Sequence, residues 1–324
     1  MILKLIHSNK IGAYAFMLLL IILFWVKPIL EGSAGITINE DAMPLWHLFS
    51  FANGKSWLAY SFSIVCAIII ALNVTRFNSK YGLLSKQSAL PGLTYVLLVG
   101  GTPAAHSFSP LWIATILMVI SLEYLFIAHH KRKPMKECFL AAFWLSLSSL
   151  FFYKALLFIP LLIFLMLALR VVTFRSFLAT SIGIILPWLL TFGYYFTIGH
   201  TDEFIQHLSF SVEKIAHFTR LQTPEIAYLI SIAFIFLIAL FSVINAYGTK
   251  KIFTRKQYQI FVFCGIYISL VMLVTGINMD YFPILAFPYA IIISHLIDHI
   301  RSWVWQNIFV VLLFAIAISG QIFL

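Results

Sequence analysis

The sequence predicts an all-α, polytopic bundle of transmembrane helices, with about 11 spans and a cytoplasmic N-terminus. Three observations lead there. Hydrophobic residues make up 62% of the 324 residues and charged residues 10%, and the mean hydropathy is +1.00. Soluble domains average about 45–50% apolar and about 25% charged, so this chain cannot cover itself with polar surface in water. The apolar residues come in runs of about 20, the length that crosses a bilayer as a helix. These runs are apolar all round, whereas barrel strands alternate. Basic residues stand at the ends of the runs, where they set orientation. No polar stretch is long enough for a soluble domain, so residues 1–324 read as a single integral membrane domain.

Taken in order, the first span covers about 11–30. Lys4 and Lys10 precede it as they would a signal peptide, but the run is too long for one, so it reads as a retained span. The loop at 36–57 follows, with the acids Glu40 and Asp41 and an amphipathic stretch, Met43 to Phe51. Span two is about 57–74. Span three, about 90–105, is short and interrupted by Gly100, Gly101 and Pro103, so a broken or re-entrant helix is expected there. Span four, about 111–130, ends in Lys131, Arg132, Lys133 and Lys136. Spans five and six, about 138–153 and 155–171, form a tight hairpin with Lys154 at its tip. Span seven, about 177–198, contains Pro187, which predicts a kink. A second long loop, 200–225, precedes spans eight to eleven at about 226–247, 258–276, 281–297 and 303–324. No internal repeat supports an inverted-repeat transporter.

Charge orients this threading. Only Lys27, Lys55, Lys154, Lys214 and Arg220 fall on the outer side, leaving 16 of the 21 Lys and Arg inside. Acids run the other way: Glu31, Glu40, Asp41, Asp202, Glu203, Glu213, Glu225 and Asp280 lie outside. The net charge of +10 is therefore a topology signal and not a nucleic-acid surface. Cys66, Cys138 and Cys264 lie in or beside spans and form no disulfide framework. Glu123 falls within span four, where a carboxylate must pair or sit near the inner end.

Four places can carry chemistry. Glu40 and Asp41 stand at the membrane surface, where one can act as general base toward an acceptor hydroxyl, or both can hold a divalent cation with a substrate phosphate. A plain solvated loop with Asp41 capping a helix is the competing interpretation. Lys154 can meet a lipid phosphate or simply anchor the hairpin at the interface. Residues 204–218 follow a helical period, predicting an interfacial helix. His200, Asp202, His207 and His217 lie around it, at spacings that match no tight zinc pattern. Asn278, Asp280 and Tyr281 form a short turn before a proline-containing span and can line a cavity or cap a helix. Asp41 and Glu40 are thus the catalytic candidates, and Lys154, His47, Asp280 and Tyr281 the substrate-binding ones.

Two resemblances add to this. The stretches LPGLTYVLLVGGTPAAHSFSPLWIAT (90–115), LFFYKALLFIPLLIFLMLALRVVTFRSFLATSIGIILPWL (150–189) and GINMDYFPILAFPYAIIISHLI (276–297) carry a likeness to an uncharacterised family of bacterial polytopic inner-membrane proteins. That resemblance implies a topology and a bacterial inner membrane, and no activity. The pair Glu40-Asp41 and the segment DYFPILAFP also look like features of integral-membrane, C-type glycosyltransferases. Those enzymes use a polyprenyl-phosphate sugar on the outer face, with an acid after the first span as base. That resemblance implies Asp41 or Glu40 as base and a lipid-linked sugar donor. Here the pair reads Glu-Asp where Asp-Glu is commoner, and the first loop is short.

The functional expectation is a lipid-linked-sugar-dependent envelope enzyme of the outer leaflet, with membrane lipid as partner. The alternative is a non-catalytic subunit or scaffold of a cell-envelope assembly with protein partners. A transporter fits less well, since intramembrane charges are nearly absent. The threading predicts that cysteines placed at Ser33 and Thr201, in a variant without native cysteines, react with an impermeant thiol reagent in intact spheroplasts. Failure of either site to react would overturn the orientation.

Overall fold

The computed structural model describes residues 10–32, 43–84, 88–202, 204–205, 222–249, 252–300 and 302–323. Most of these residues are helical, with no strand among them. The α-helices are α1 (Lys10–Glu31), α2 (Ser56–Tyr81), α3 (Leu90–Gly100), α4 (Pro110–His129), α5 (Met135–Ser149), α6 (Ile159–Ala168), α7 (Phe174–Ile198), α8 (Thr223–Ala246), α9 (Ile252–Thr275), α10 (Phe282–His299) and α11 (Trp303–Phe323). Among the described residues, 8 helices are long and apolar enough to cross a membrane. This is a multi-pass membrane protein. The helices α3, α5 and α6 are shorter, so eight of the about eleven expected spans are long, apolar helices.

The least apolar of the eight is the most buried. The stretch Met279–His299, which contains α10, has the lowest mean hydropathy, 1.4, and is 94% buried. The most apolar, α8, has a mean hydropathy of 2.7 and is 33% buried. Helix α10 is the central post, buried at every residue from Phe282 to Ile297. Helix α3, also wholly buried, packs against it. Thr94 and Ser294 hydroxyls meet across this contact at 2.9 Å, and the Phe236 ring of α8 stacks on Tyr289 at 3.7 Å. Helices α1, α2, α4, α8, α9 and α11 surround the pair. Helix α7 is peripheral: it packs on α5 and turns its other faces outward.

Two ends can be told apart by their contacts. At one end α2, α4, α6 and α9 meet. Glu123 is held there by Lys80 at 2.6 Å and Arg76 at 3.3 Å, so the in-span acid pairs near an end as its cost requires. Lys131 pairs with Glu137 at 2.5 Å, and His129 bonds the Leu169 carbonyl at the same end. At the opposite end Tyr60 donates to the Pro28 carbonyl, Trp188 to Ser149 Oγ, and Lys154 approaches the Thr275 carbonyl.

The expected break lies at that opposite end. Helix α3 stops at Gly100, a 3-10 turn runs Pro103–His106, and α4 starts at Pro110. Its free carbonyls find partners on the surrounding helices. Tyr228 donates to the Leu98 carbonyl at 3.0 Å, Gln321 to Gly100, Ser63 to His106 at 2.7 Å, and Trp112 to Ala105 and Ser107 at 3.1 Å each. Trp25 in turn donates to Ser63 Oγ at 2.8 Å.

Other expectations change in detail. The hairpin after α5 is a 3-10 helix, Tyr153–Phe158, leading into the short α6. Residues 43–52 do not form an amphipathic α-helix but a 3-10 helix, Trp46–Ala52. Trp46 is buried against Phe108, while Leu48 and Phe51 are exposed. Helix α7 continues through Pro187. The expected interfacial helix at 204–218 falls almost wholly outside the described residues.

The crossing of α11 over the break depends on glycine. A Cβ on Gly320 would land on the Gly101 carbonyl oxygen, while one on Gly193 of α7 would meet nothing within 4 Å. Gly320→Ala should therefore destabilise the folded protein by about 1–3 kcal/mol, as overpacking does. Gly193→Ala should be neutral or stabilise by up to about 1 kcal/mol. Thermal unfolding in detergent compares the two; equal melting temperatures would sink the close-crossing account.

Candidate functional site

The polar groups that the sequence scattered over two hairpins meet at the end of the bundle opposite the basic one. Lys154 enters on the 3-10 helix Tyr153–Phe158, and Asp280 and Tyr281 on the 3-10 helix Met279–Tyr281. Gly276 bends the chain between α9 and this turn with φ +97°, a backbone conformation open mainly to glycine. Asn278 then shapes the turn: its Oδ1 accepts the Asp280 backbone N–H at 3.0 Å, and its Nδ2 donates to Asp280 Oδ2 at 2.7 Å.

Lys154 Nζ lies 3.4 Å from the Thr275 carbonyl, 5.6 Å from the Tyr281 ring centre and 5.9 Å from that of Tyr153. It is half-buried, and Asp280 interacts with it through space. Among the described residues no carboxylate lies within ion-pair distance of it. Thr275 Oγ1 sits 3.0 Å from the Tyr281 hydroxyl and also donates to the Val271 carbonyl. Phe152 packs edge-on against the Tyr281 ring. The result is one ammonium, one carboxylate and two phenols in a half-buried corner. An ammonium there can hold an anionic oxygen, and a carboxylate can accept a proton from a hydroxyl.

The same corner adjoins the α3 break, because Pro103–His106 packs against Met279–Tyr281. His106 is 1% exposed. Its Nδ1 lies 3.3 Å from the Pro103 carbonyl and its Nε2 3.2 Å from Gln321 Nε2. The network assigns a neutral ring, with Nδ1–H donating to Pro103 and Nε2 accepting from the Gln321 amide. Burial pushes its pKa down to about 4, with the Pro103 bond opposing and Lys27 assisting.

Of the expected site residues, Lys154, Asp280 and Tyr281 are brought together. His47 is half-buried on the 3-10 helix Trp46–Ala52. The Leu45 N–H donates to the Leu150 carbonyl at 3.2 Å, which ties its segment to the base of the Lys154 hairpin. Glu40 and Asp41 lie outside the described residues, as do His207 and His217; the described chain resumes at Met43. Among the described residues no group of three or more His, Cys, Asp and Glu side chains is placed to hold a metal ion. Thr275 escaped sequence reading, since a lone threonine at the end of an apolar run carries no signal of its own.

The match to known families covers this whole corner. The chain belongs to DUF6427, a family of unknown function, which matches residues 43–323. The matched region holds His47, Lys154, Asp280 and Tyr281 and begins just after the acidic pair. No curated protein and no solved structure matches the chain, so the likeness to C-type glycosyltransferases gains no support from a named relative.

The buried imidazole sets a pH dependence. Above pH about 6.5 His106 is neutral folded and unfolded, and its packing is fully retained. As pH falls from about 6.5 toward 4, the unfolded state takes up a proton that the folded state refuses, and stability drops by about 1.4 kcal/mol per pH unit. The melting temperature should therefore fall over that window, and the fall should be shallower in His106→Gln. An identical profile in the variant would assign the loss to other groups.

Proposed function

We propose that this corner binds the phosphate head of a lipid-linked substrate at the outer face of a bacterial inner membrane, and that the chain is an envelope transferase acting on it. The observation that carries this is the meeting of Lys154, Asp280 and Tyr281 from two distant hairpins at one half-buried point. The basic character of the other end supports a cytoplasmic placement for it, which puts the Lys154 corner outside.

In this scheme the donor is a polyprenyl-phosphate sugar. Lys154 and the Tyr153 hydroxyl hold the phosphate oxygens, and the Tyr281 ring backs the ammonium. A carboxylate takes the proton of the acceptor hydroxyl, whose oxygen forms a bond to the anomeric carbon. The bond from that carbon to the phosphate oxygen breaks, and its electron pair leaves with the lipid phosphate, whose charge Lys154 offsets. The base is Asp280 within the corner, or Asp41 with Glu40 beside it on the first loop.

Purified protein given radiolabelled lipid-linked sugar and an acceptor decides the matter. Lys154→Ala should weaken donor binding by roughly tenfold or more, the loss of a charge-assisted contact. Replacing the base by its amide should lower turnover by about 100-fold or more at unchanged binding. Asp280→Asn and Asp41→Asn identify which acid it is. Donor binding that depends on Lys154, without turnover under any acceptor, would make the chain a binding subunit. No binding at all would refute the site.

A further inference from the structure

We propose that the basic end of the seam between α6 and α9 binds the head group of an anionic phospholipid, with Arg170 and Lys256 holding its phosphate. The register of the two helices brings these residues level. Near the opposite end Lys154 approaches the Thr275 carbonyl, and the Tyr267 hydroxyl donates to the Leu157 carbonyl at 2.7 Å. Further along, the Phe164 ring meets that of Phe263 edge-on at 4.9 Å. A step forward along α6 is thus matched by a step back along α9, and the helices run antiparallel. Arg170 lies six residues beyond Phe164 and Lys256 seven before Phe263. At about 1.5 Å per residue, each stands about 10 Å from the ring pair toward the basic end.

His129, at the end of α4, completes the cluster. Its Nδ1 donates to the Leu169 carbonyl at 2.9 Å, beside Arg170, and Lys256 acts on it through space. His130 adjoins it at 6.0 Å between ring centres. Basic groups from three elements therefore converge, and like charges gathered in this way repel unless an anion joins them. The acids of this end are engaged elsewhere. Glu123 pairs with Lys80 and Arg76, Glu137 pairs with Lys131, and Asp298 acts on Tyr258, which is buried. Among the described residues no carboxylate comes within ion-pair distance of Arg170 or Lys256. Arg170 also holds φ +56°, in the left-handed region where helices commonly end on glycine. The backbone there disfavours arginine, so what recommends the residue is its guanidinium and not the turn.

The seam selects a lipid over a soluble anion. Along it Phe164, Leu167 and Ile266 are 45%, 57% and 42% exposed, an apolar surface that faces acyl chains in a membrane. Lys256, Phe263 and Ile266 follow one helical stripe of α9, so the ammonium heads an apolar track. A phosphate held by Arg170 and Lys256 leaves its tails lying along that track. Basic pockets between helix ends at a membrane face take anionic head groups in this way. A zwitterionic lipid brings its own ammonium, which the cluster would repel.

The test measures binding of phosphatidylglycerol to the full chain in detergent by native mass spectrometry, with phosphatidylcholine of the same tails and inorganic phosphate as further probes. Lys256→Gln and Arg170→Gly should each weaken phosphatidylglycerol binding by about fivefold, the worth of one basic contact at a charged membrane surface, and the double variant by about 25-fold. Glycine preserves the left-handed turn, and Lys256→Arg, which keeps the charge, should bind as the native chain does. These two variants separate loss of the site from loss of the fold. Lys136→Gln removes an exposed charge from α5 and should leave binding unchanged. An equal loss in Lys136→Gln would reduce the effect to the net charge of that end and overturn the site. Phosphatidylcholine bound as tightly as phosphatidylglycerol would overturn the anionic head group. Inorganic phosphate bound as tightly, and lost in the same variants, would make this a soluble-anion site and overturn the lipid assignment. Unchanged affinity in the folded double variant would refute the proposal outright.

Discussion

The constraint on which this structure depends is that a backbone carbonyl inside a membrane must find its partner within the protein. Helix α3 ends at Gly100 and leaves several carbonyls without helical partners. Ser63 of α2, Trp112 of α4, Tyr228 of α8 and Gln321 of α11 each supply one or two of the missing donors. Each bond also fixes a helix to the break. The defect in α3 is thereby the point at which four other helices are placed in register, and Gly101 and Gly320 let α11 come close enough to join them.

Burial follows from the same logic. Apolar side chains gain little from leaving lipid for protein, so helices associate through packing, small residues and hydrogen bonds. The central pair α3 and α10 carries those features: the Thr94–Ser294 contact, Tyr95 directed at the Pro283 carbonyl, and the Tyr289 ring stacked on Phe236 and bonded to Ser269. Helix α8, richer in aliphatic residues, keeps much of its surface for lipid, with Ile230, Phe234, Leu237, Phe241 and Ile244 exposed. Buried acids obey a parallel rule. Glu123 and Glu137 are each neutralised by lysine or arginine from the basic end. Asp280, at the other end, faces a lysine it does not close upon.

That difference sets the Lys154 corner apart from the structural ion pairs. A lysine and a carboxylate kept in range but not in contact retain capacity for a third charged group. The turn that holds Asp280 is rigidified locally by Asn278, and Lys154 is held by the Thr275 carbonyl and two aromatic rings.

Much of the architecture was legible in the residues. Apolar run length reports membrane helices because a bilayer has one thickness, and Gly100, Gly101 and Pro103 report the break because proline and glycine act locally. The pairing of Glu123 followed from the cost of an isolated charge in lipid. Which helices form the core was not legible, since lipid and protein interior are equally apolar and hydropathy cannot separate them. For that reason the shortness of α6 and the full burial of α10 came only with the fold. Lys154, Asp280 and Tyr281 were each visible as polar residues at the ends of apolar runs. Their meeting was decided by the tertiary structure, because the contact joins hairpins far apart in the chain.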